Sequence, residues 1–178
     1  MAKPCKHCQS EAHASTFCFQ APKKPIKSVS KAIKGKKRST TRPKTETRSK
    51  LVKKLDTIFS QYIRLSESGN DGYGICITCG EKKFWKEAQA CHFFTRGRQA
   101  TRWDEDNVHF GCYRCNVLLK GNYINYTRYM LDSYSREFVE QLEYRSLNGD
   151  KITTPQLRDM IQHYITEVDE LKSKKCLY

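Results

Sequence analysis

Apolar residues recur at helical spacing between residues 50 and 67. Leu51, Leu55, Ile58, Phe59, Tyr62 and Ile63 fall on one face, with Lys53, Lys54, Asp56 and Arg64 largely off it. This predicts an amphipathic helix, ended by the turn-forming Asn70-Asp71-Gly72. A second stripe, Leu157, Met160, Ile161, Tyr164, Ile165, Val168 and Leu171, follows Thr153-Thr154-Pro155-Gln156. Proline suits a first helical turn and threonine can cap it, so a helix is expected to start there and to pack on the helix at 50–67. Between them, Tyr126, Met130 and Tyr134, then Phe138, Leu142 and Tyr144, predict one or two short helices. From 73 to about 121 cysteines dominate. Residues 22–50 differ again: twelve Lys/Arg stand against one Glu, with Pro, Ser and Thr between them. That segment lacks the apolar residues to fold alone and reads as a disordered arm or linker.

Composition sharpens this picture. The chain has 178 residues, 38% of them apolar, and a net charge of +14, of which the 22–50 segment carries +11. So polar a chain buries a small core and needs staples. Nine cysteines are available, eight of them in two clusters, with three C-x-x-C pairs. The odd count, the spacing and the absence of an apolar run after Met1-Ala2-Lys3-Pro4 favour zinc over disulfides, and so predict a soluble intracellular protein. No stretch has the length of a membrane span. The dense positive charge of the arm, which includes Lys36, Lys37 and Arg38, suits the phosphates of a nucleic acid.

Two zinc sites are expected. Cys76, Cys79, Cys112 and Cys115 form two C-x-x-C pairs that can close one tetrahedral site. Cys5, Cys8, His13 and Cys18 have the spacing of a CCHC zinc knuckle, although the glycines usual in knuckles that bind single strands are missing. Cys91 and Cys176 are left as free thiols.

A plain zinc ribbon would leave the 32 residues between Cys79 and Cys112 unexplained. That gap holds Ala90-Cys91-His92-Phe93, the basic loop Thr95-Arg96-Gly97-Arg98-Gln99-Ala100-Thr101-Arg102, and Asp106-Asn107-Val108-His109. Cys115-Asn116 and Lys120-Gly121-Asn122 follow it. Arg96, Arg98, Arg102 and Lys120 are candidate phosphate contacts. Trp85, Trp103 and Phe93 are expected to pack the hairpin.

This ordered set, C-x-x-C, Ala-x-His-aromatic, Arg-aromatic, Asn-x-His, C-x-x-C-Asn and Lys-Gly-Asn, resembles the NinG/Rap recombination endonucleases of bacteriophages over roughly residues 45–135. Those enzymes belong to the broad HNH (ββα-metal) nuclease class, and phage endonuclease VII shares the zinc-flanked plan. The resemblance implies an α+β fold: a small zinc-stabilised ββα-metal core packed with flanking helices, plus the amino-terminal knuckle and the basic linker. The corresponding domains are 1–21 (knuckle), 22–49 (linker), 50–135 (HNH-like nuclease with its leading helix) and 136–178 (helical region). It implies His92 as general base, Asn116 as ligand of a catalytic Mg²⁺ or Mn²⁺, and Asn107 as the residue that holds the hairpin and orients the base.

One departure from the pattern concerns Cys91, which takes the place where many HNH enzymes carry a metal-binding Asp. Asp104, Glu105 and Asp106 are the nearest acidic substitutes, or else a solvated turn. His109 is open between a role near the metal and packing against the second C-x-x-C pair. The implied activity is metal-dependent cutting of branched DNA, such as Holliday junctions or D-loops, in the host-cell cytoplasm. Cutting two opposed strands favours a homodimer, although no heptad seam is present. The rival readings are a non-catalytic zinc-dependent nucleic-acid-binding accessory protein and an HNH nickase of restriction or homing type.

Overall fold

The computed structural model describes residues 46–177. The predicted ligands Cys5, Cys8, His13 and Cys18, and the basic residues Lys36, Lys37 and Arg38, lie outside the described residues.

Among the described residues the fold is α+β. Helix α1 (Arg48–Ser66) leads into two short hairpins, β1 (Tyr73–Ile75) with β2 (Lys82–Phe84), and β3 (Gln89–His92) with β4 (Val108–Gly111). A five-residue π-helical turn, Arg114–Leu118, follows β4. Helices α2 (Tyr123–Ser133), α3 (Arg136–Asn148) and α4 (Thr154–Lys175) complete the chain. None of these helices is long and apolar enough to cross a membrane.

The helical stripes meet as their spacing predicts. Leu51, Leu55, Phe59 and Ile63 of α1 are buried against Leu157, Ile161 and Tyr164 of α4, together with Trp103 and Val108. Phe59 meets the Tyr164 ring edge-on, with centroids 5.0 Å apart. The Gln156 side chain reaches back to accept the Thr153 backbone N–H at 2.7 Å, which starts α4 where the Thr-Thr-Pro-Gln run predicts. At the other end of α4, the Lys175 ammonium donates to the Leu65 and Ser68 carbonyls, satisfying oxygens left over where α1 stops.

The register of the second hairpin sorts its side chains. Cys91 pairs with His109, and His92 with Val108. Paired residues share a face and neighbours along a strand take opposite faces. The Cys91/His109 face therefore meets a second apolar cluster, in which Cys91 and Phe93 pack on Tyr126 and Met130 of α2 and Leu142 of α3. The Tyr126 hydroxyl donates to the Cys91 carbonyl at 2.8 Å. The two tryptophans pack as expected: Trp103 lies in the α1–α4 core and Trp85 is buried with Leu65 and Val168.

Leu55 is fully buried at the α1–α4 contact. Leu55→Ala should lower the free energy of unfolding by roughly 2–5 kcal/mol in a urea titration. A loss below about 1 kcal/mol would mean that this helix pair is not the main core.

Candidate functional site

Four sulfurs converge where the two hairpins meet. Cys76 follows β1, Cys79 sits in the β1–β2 turn, and Cys112 and Cys115 flank the start of the π-turn. All four Sγ atoms lie within 4.8 Å of one another. A tetrahedral ion bonded to sulfur at about 2.3 Å sets the sulfurs about 3.8 Å apart, and Cys79 Sγ and Cys112 Sγ are separated by 3.8 Å. Cys76, Cys112 and Cys115 are buried.

Three further bonds set the orientation of these sulfurs. The Thr78 hydroxyl lies 3.3 Å from Cys76 Sγ, the Cys115 backbone N–H donates to Cys112 Sγ, and the Asn122 amide donates to Cys115 Sγ. Burial opposes ionisation of Cys76, but hydrogen bonds from Thr78 and from the backbone of Cys112 and Cys79 overcome it and bring the thiol down to about 6. Burial instead holds Cys112 well above the usual thiol range. Without a cation, four sulfurs this close cannot all be thiolates. The donor set is soft, four-fold and near-tetrahedral, so these residues fit a metal ion such as zinc.

Cys91 is not part of this set. A side chain at Gly111 would come within 2.3 Å of Cys91 Sγ, so the absence of a side chain there is what admits the sulfur. Burial pushes the Cys91 thiol up to about 12, with the charges of Cys76 and Cys115 adding to the effect. The side chain packs against Tyr126 and Met130 of α2, and Cys91 is not among the residues that line the cleft with His92.

His92 and Asn116 line one open cleft of about 390 Å³, together with Gln89, Ala90, Arg96, Val117, Lys120 and Gly121. Strand β3 supplies the histidine, and the π-turn anchored by Cys112 and Cys115 supplies the asparagine. The His92 Nε2 atom is 2.9 Å from the Arg102 carbonyl oxygen. A carbonyl only accepts, so Nε2 carries the proton and Nδ1 keeps its lone pair. Burial lowers the imidazole to about 4, the Arg102 carbonyl opposing that shift and the charges of Arg96 and Arg102 adding to it. The ring is therefore neutral at physiological pH.

Asn107 does not reach the cleft. It is 0% exposed and spends its amide on the loop: Nδ2 donates to the Phe94 and Thr101 carbonyls, and Oδ1 accepts from the Phe94 N–H at 2.7 Å. It braces the loop between β3 and β4, which includes the Arg102 carbonyl that holds His92.

The four candidate phosphate contacts separate. Arg96 and Lys120 line the cleft and are exposed. Arg98 is exposed on the loop but does not line it. Arg102 is a correction: its guanidinium forks onto Asp56 of α1 at 2.9 and 2.7 Å and also donates to the Arg96 carbonyl, so its charge is already matched within the fold.

The acidic candidates also lie elsewhere. Asp104 and Asp106 pair with Arg145, and Glu105 accepts from Tyr62 and Tyr164. Among the described residues no Asp or Glu lines the cleft.

His109, 3% exposed, donates from Nδ1 to Glu67 at 2.9 Å, and the other Glu67 oxygen accepts the Phe110 N–H at 2.7 Å. Both residues line a larger cavity of about 710 Å³, walled also by Tyr62, Tyr73, Tyr129, Glu105 and Asp106. With three carboxylates and no Lys or Arg in its wall, that cavity repels an anion, whereas the smaller cleft attracts one. Size therefore does not choose between the two; charge does. Glu67, Asp56 and Gln89 were not singled out from the sequence. The partners of Glu67 and Asp56 lie more than forty positions away, with no local signal to link them.

Fold and site together define an α+β module whose four clustered cysteines could hold a metal ion and which presents a basic cleft lined by a neutral histidine and an asparagine. Residues 2–174 match the family model described as "Bacteriophage Lambda NinG protein", and the chain belongs to that family. No curated protein and no solved structure shows significant similarity to it.

Replacing Cys112 by Ser in the full chain should lower the bound zinc by one ion per chain in elemental analysis. It should also abolish the cooperative thermal transition of the module, since structural zinc of this kind carries roughly 10–16 kcal/mol of apparent binding energy. An unchanged zinc count would mean that the four sulfurs hold no metal.

Proposed function

We propose that the protein is a metal-dependent endonuclease that hydrolyses phosphodiester bonds in branched DNA during phage recombination. The observation that carries this reading is the shared cleft. His92, its Nε2 proton committed to the Arg102 carbonyl, lines one cleft with Asn116 and the cations Arg96 and Lys120. On this reading β3, β4 and the π-turn serve as a ββα-metal frame, with the four-cysteine site as its brace.

The residues divide the work. Arg96 and Lys120 hold the phosphate in the cleft. His92 Nδ1 takes a proton from the attacking water as its oxygen bonds to phosphorus, while the bond to the leaving sugar oxygen breaks and that oxygen is protonated from solvent. Asn107 positions rather than reacts, because it fixes the loop whose carbonyl sets the His92 tautomer. A divalent ion, Mg²⁺ or Mn²⁺, supplies when bound the charge that stabilises the leaving oxygen. Asn116 offers it a hard carboxamide oxygen, which suits such an ion. Among the described residues the cleft offers no carboxylate, so on this reading the phosphate would complete the charge balance.

That missing carboxylate is also the observation that favours a second reading, a zinc-dependent protein that binds branched nucleic acid without cutting it. A nicking assay on four-way junctions and linear duplex, with Mg²⁺ or Mn²⁺, separates the two. Wild type should cut the junctions, and His92→Ala should lose roughly 10²–10⁴-fold in rate. Binding without cutting in either metal would establish the second reading, and equal cutting by His92→Ala would remove His92 from the chemistry.

The pH profile follows from the buried imidazole. A base is active when unprotonated, and the His92 pKa lies near 4 rather than the ordinary 6.5. The single-turnover rate should therefore stay level as pH falls through 6.5 and drop only well below it. An acid limb centred at 6.5 or higher would contradict the neutral, carbonyl-bound imidazole.

A further inference from the structure

One short stretch of the chain exposes several large apolar side chains in succession. Leu118 is 64% exposed and Ile124 71%, and Tyr113, Val117 and Leu119 are exposed beside them in the same twelve-residue run. Isolated exposed leucines need no explanation, but several exposed apolar residues within one short segment do. The chain holds this group outward by backbone geometry. Lys120, Gly121 and Asn122 take three successive positive φ angles of 49°, 95° and 45°, two of them at residues with a Cβ. That bend separates the π-turn from α2. The turn is also tied down from beneath, by Cys112 and Cys115 in the sulfur cluster and by Asn122 on Cys115 Sγ. Tyr123 stacks on Phe93, one residue beyond His92, with ring planes 4° apart. The apolar group is thus a rigid knuckle on a strained turn.

Its surroundings identify what it meets. The knuckle is continuous with the cleft, because Val117, Lys120 and Gly121 belong to both. No Asp or Glu occurs between Asp106 and Asp132, whereas Arg114, Lys120 and Arg128 do. An apolar segment that carries cations and asparagines and no acid is complementary to bases presented between phosphates. In a continuous duplex those bases are stacked and closed. At a branch point the stack is already broken, so opening it costs less.

Resting on the nuclease reading of the adjoining cleft, we propose that Leu118 and Ile124 form a wedge that enters the unstacked bases at a DNA branch and so makes the cleft select branched over linear DNA. The cations hold any phosphate backbone, and the wedge is satisfied only where bases are open.

The test uses the full chain without added Mg²⁺ or Mn²⁺. A four-way junction carrying 2-aminopurine at the branch is compared with a linear duplex carrying it mid-strand. Wild type should raise the fluorescence at the branch and leave the duplex label unchanged. Leu118→Ala/Ile124→Ala should lose the rise and bind the junction roughly tenfold or more weakly, with duplex affinity retained. Both side chains are exposed, so the variant should melt like wild type, and a thermal melt checks this.

Unchanged branch fluorescence and junction affinity in the variant would overturn the wedge, as would equal weakening toward junction and duplex. So would sedimentation showing a wild-type dimer become monomeric with DNA binding intact, which would assign the knuckle to a second copy of this chain. Failure of the nuclease reading looks different: wild type would open the branch and still cut nothing when Mg²⁺ or Mn²⁺ is supplied.

Discussion

Four sulfurs drawn within 4.8 Å of one another are the constraint on which the rest depends. They join the end of β1 and its turn to the π-turn after β4, segments more than thirty residues apart whose apolar side chains are largely exposed. Helices α1 and α4 provide an ordinary hydrophobic core, but that core ends at one face of the second hairpin. Beyond it, the Cys76, Cys112 and Cys115 cluster takes over as the buried centre. Asn116 directly follows the last cysteine of that cluster, and Cys91 packs beside Gly111, one residue before Cys112.

Strand alternation divides the second hairpin into two environments. On one side His92 looks into a small cleft rich in positive charge. On the other, His109 is locked to Glu67 in a larger, acidic, tyrosine-walled cavity. Two histidines seventeen positions apart thus meet opposite electrostatics. Asn107 and the Arg102 carbonyl are the link between scaffold and site, since one ties down the loop and the other selects the His92 tautomer. Arg102 itself anchors to Asp56, so a residue that reads as a phosphate contact serves instead to hold the loop against α1.

Much of this was legible in the chain. The stripes of α1 and α4 have clean helical spacing, and both helices form where expected, α1 beginning two residues earlier than its first predicted position. The two C-x-x-C pairs announce the sulfur cluster because soft metal ligation leaves a rigid spacing signature. His92 stands out because the residues between the pairs exceed what a zinc ribbon requires, and Asn116 because the ordered motif set resembles the NinG pattern. Less legible was anything set by register or by distant pairing. Cys91 reads as a failed acidic ligand until the strand places it on the opposite face from His92. Glu67 and Asp56 are ordinary helix acids until residues more than forty positions away turn out to be their partners. The strained Lys120-Gly121-Asn122 bend suggests only a turn in the sequence, and its outward-facing leucine and isoleucine are visible only in three dimensions.

The central claim is that a sulfur-held frame brings an imidazole base and a carboxamide to one phosphate-binding cleft. It is tested most directly by anomalous diffraction from Mn²⁺ in crystals of the His92→Ala chain bound to a DNA junction. The account predicts a manganese peak within bonding distance of Asn116 Oδ1 and of a backbone phosphate held by Arg96 and Lys120. A peak instead among Glu67, Glu105 and Asp106, with the cleft empty of DNA, would contradict it.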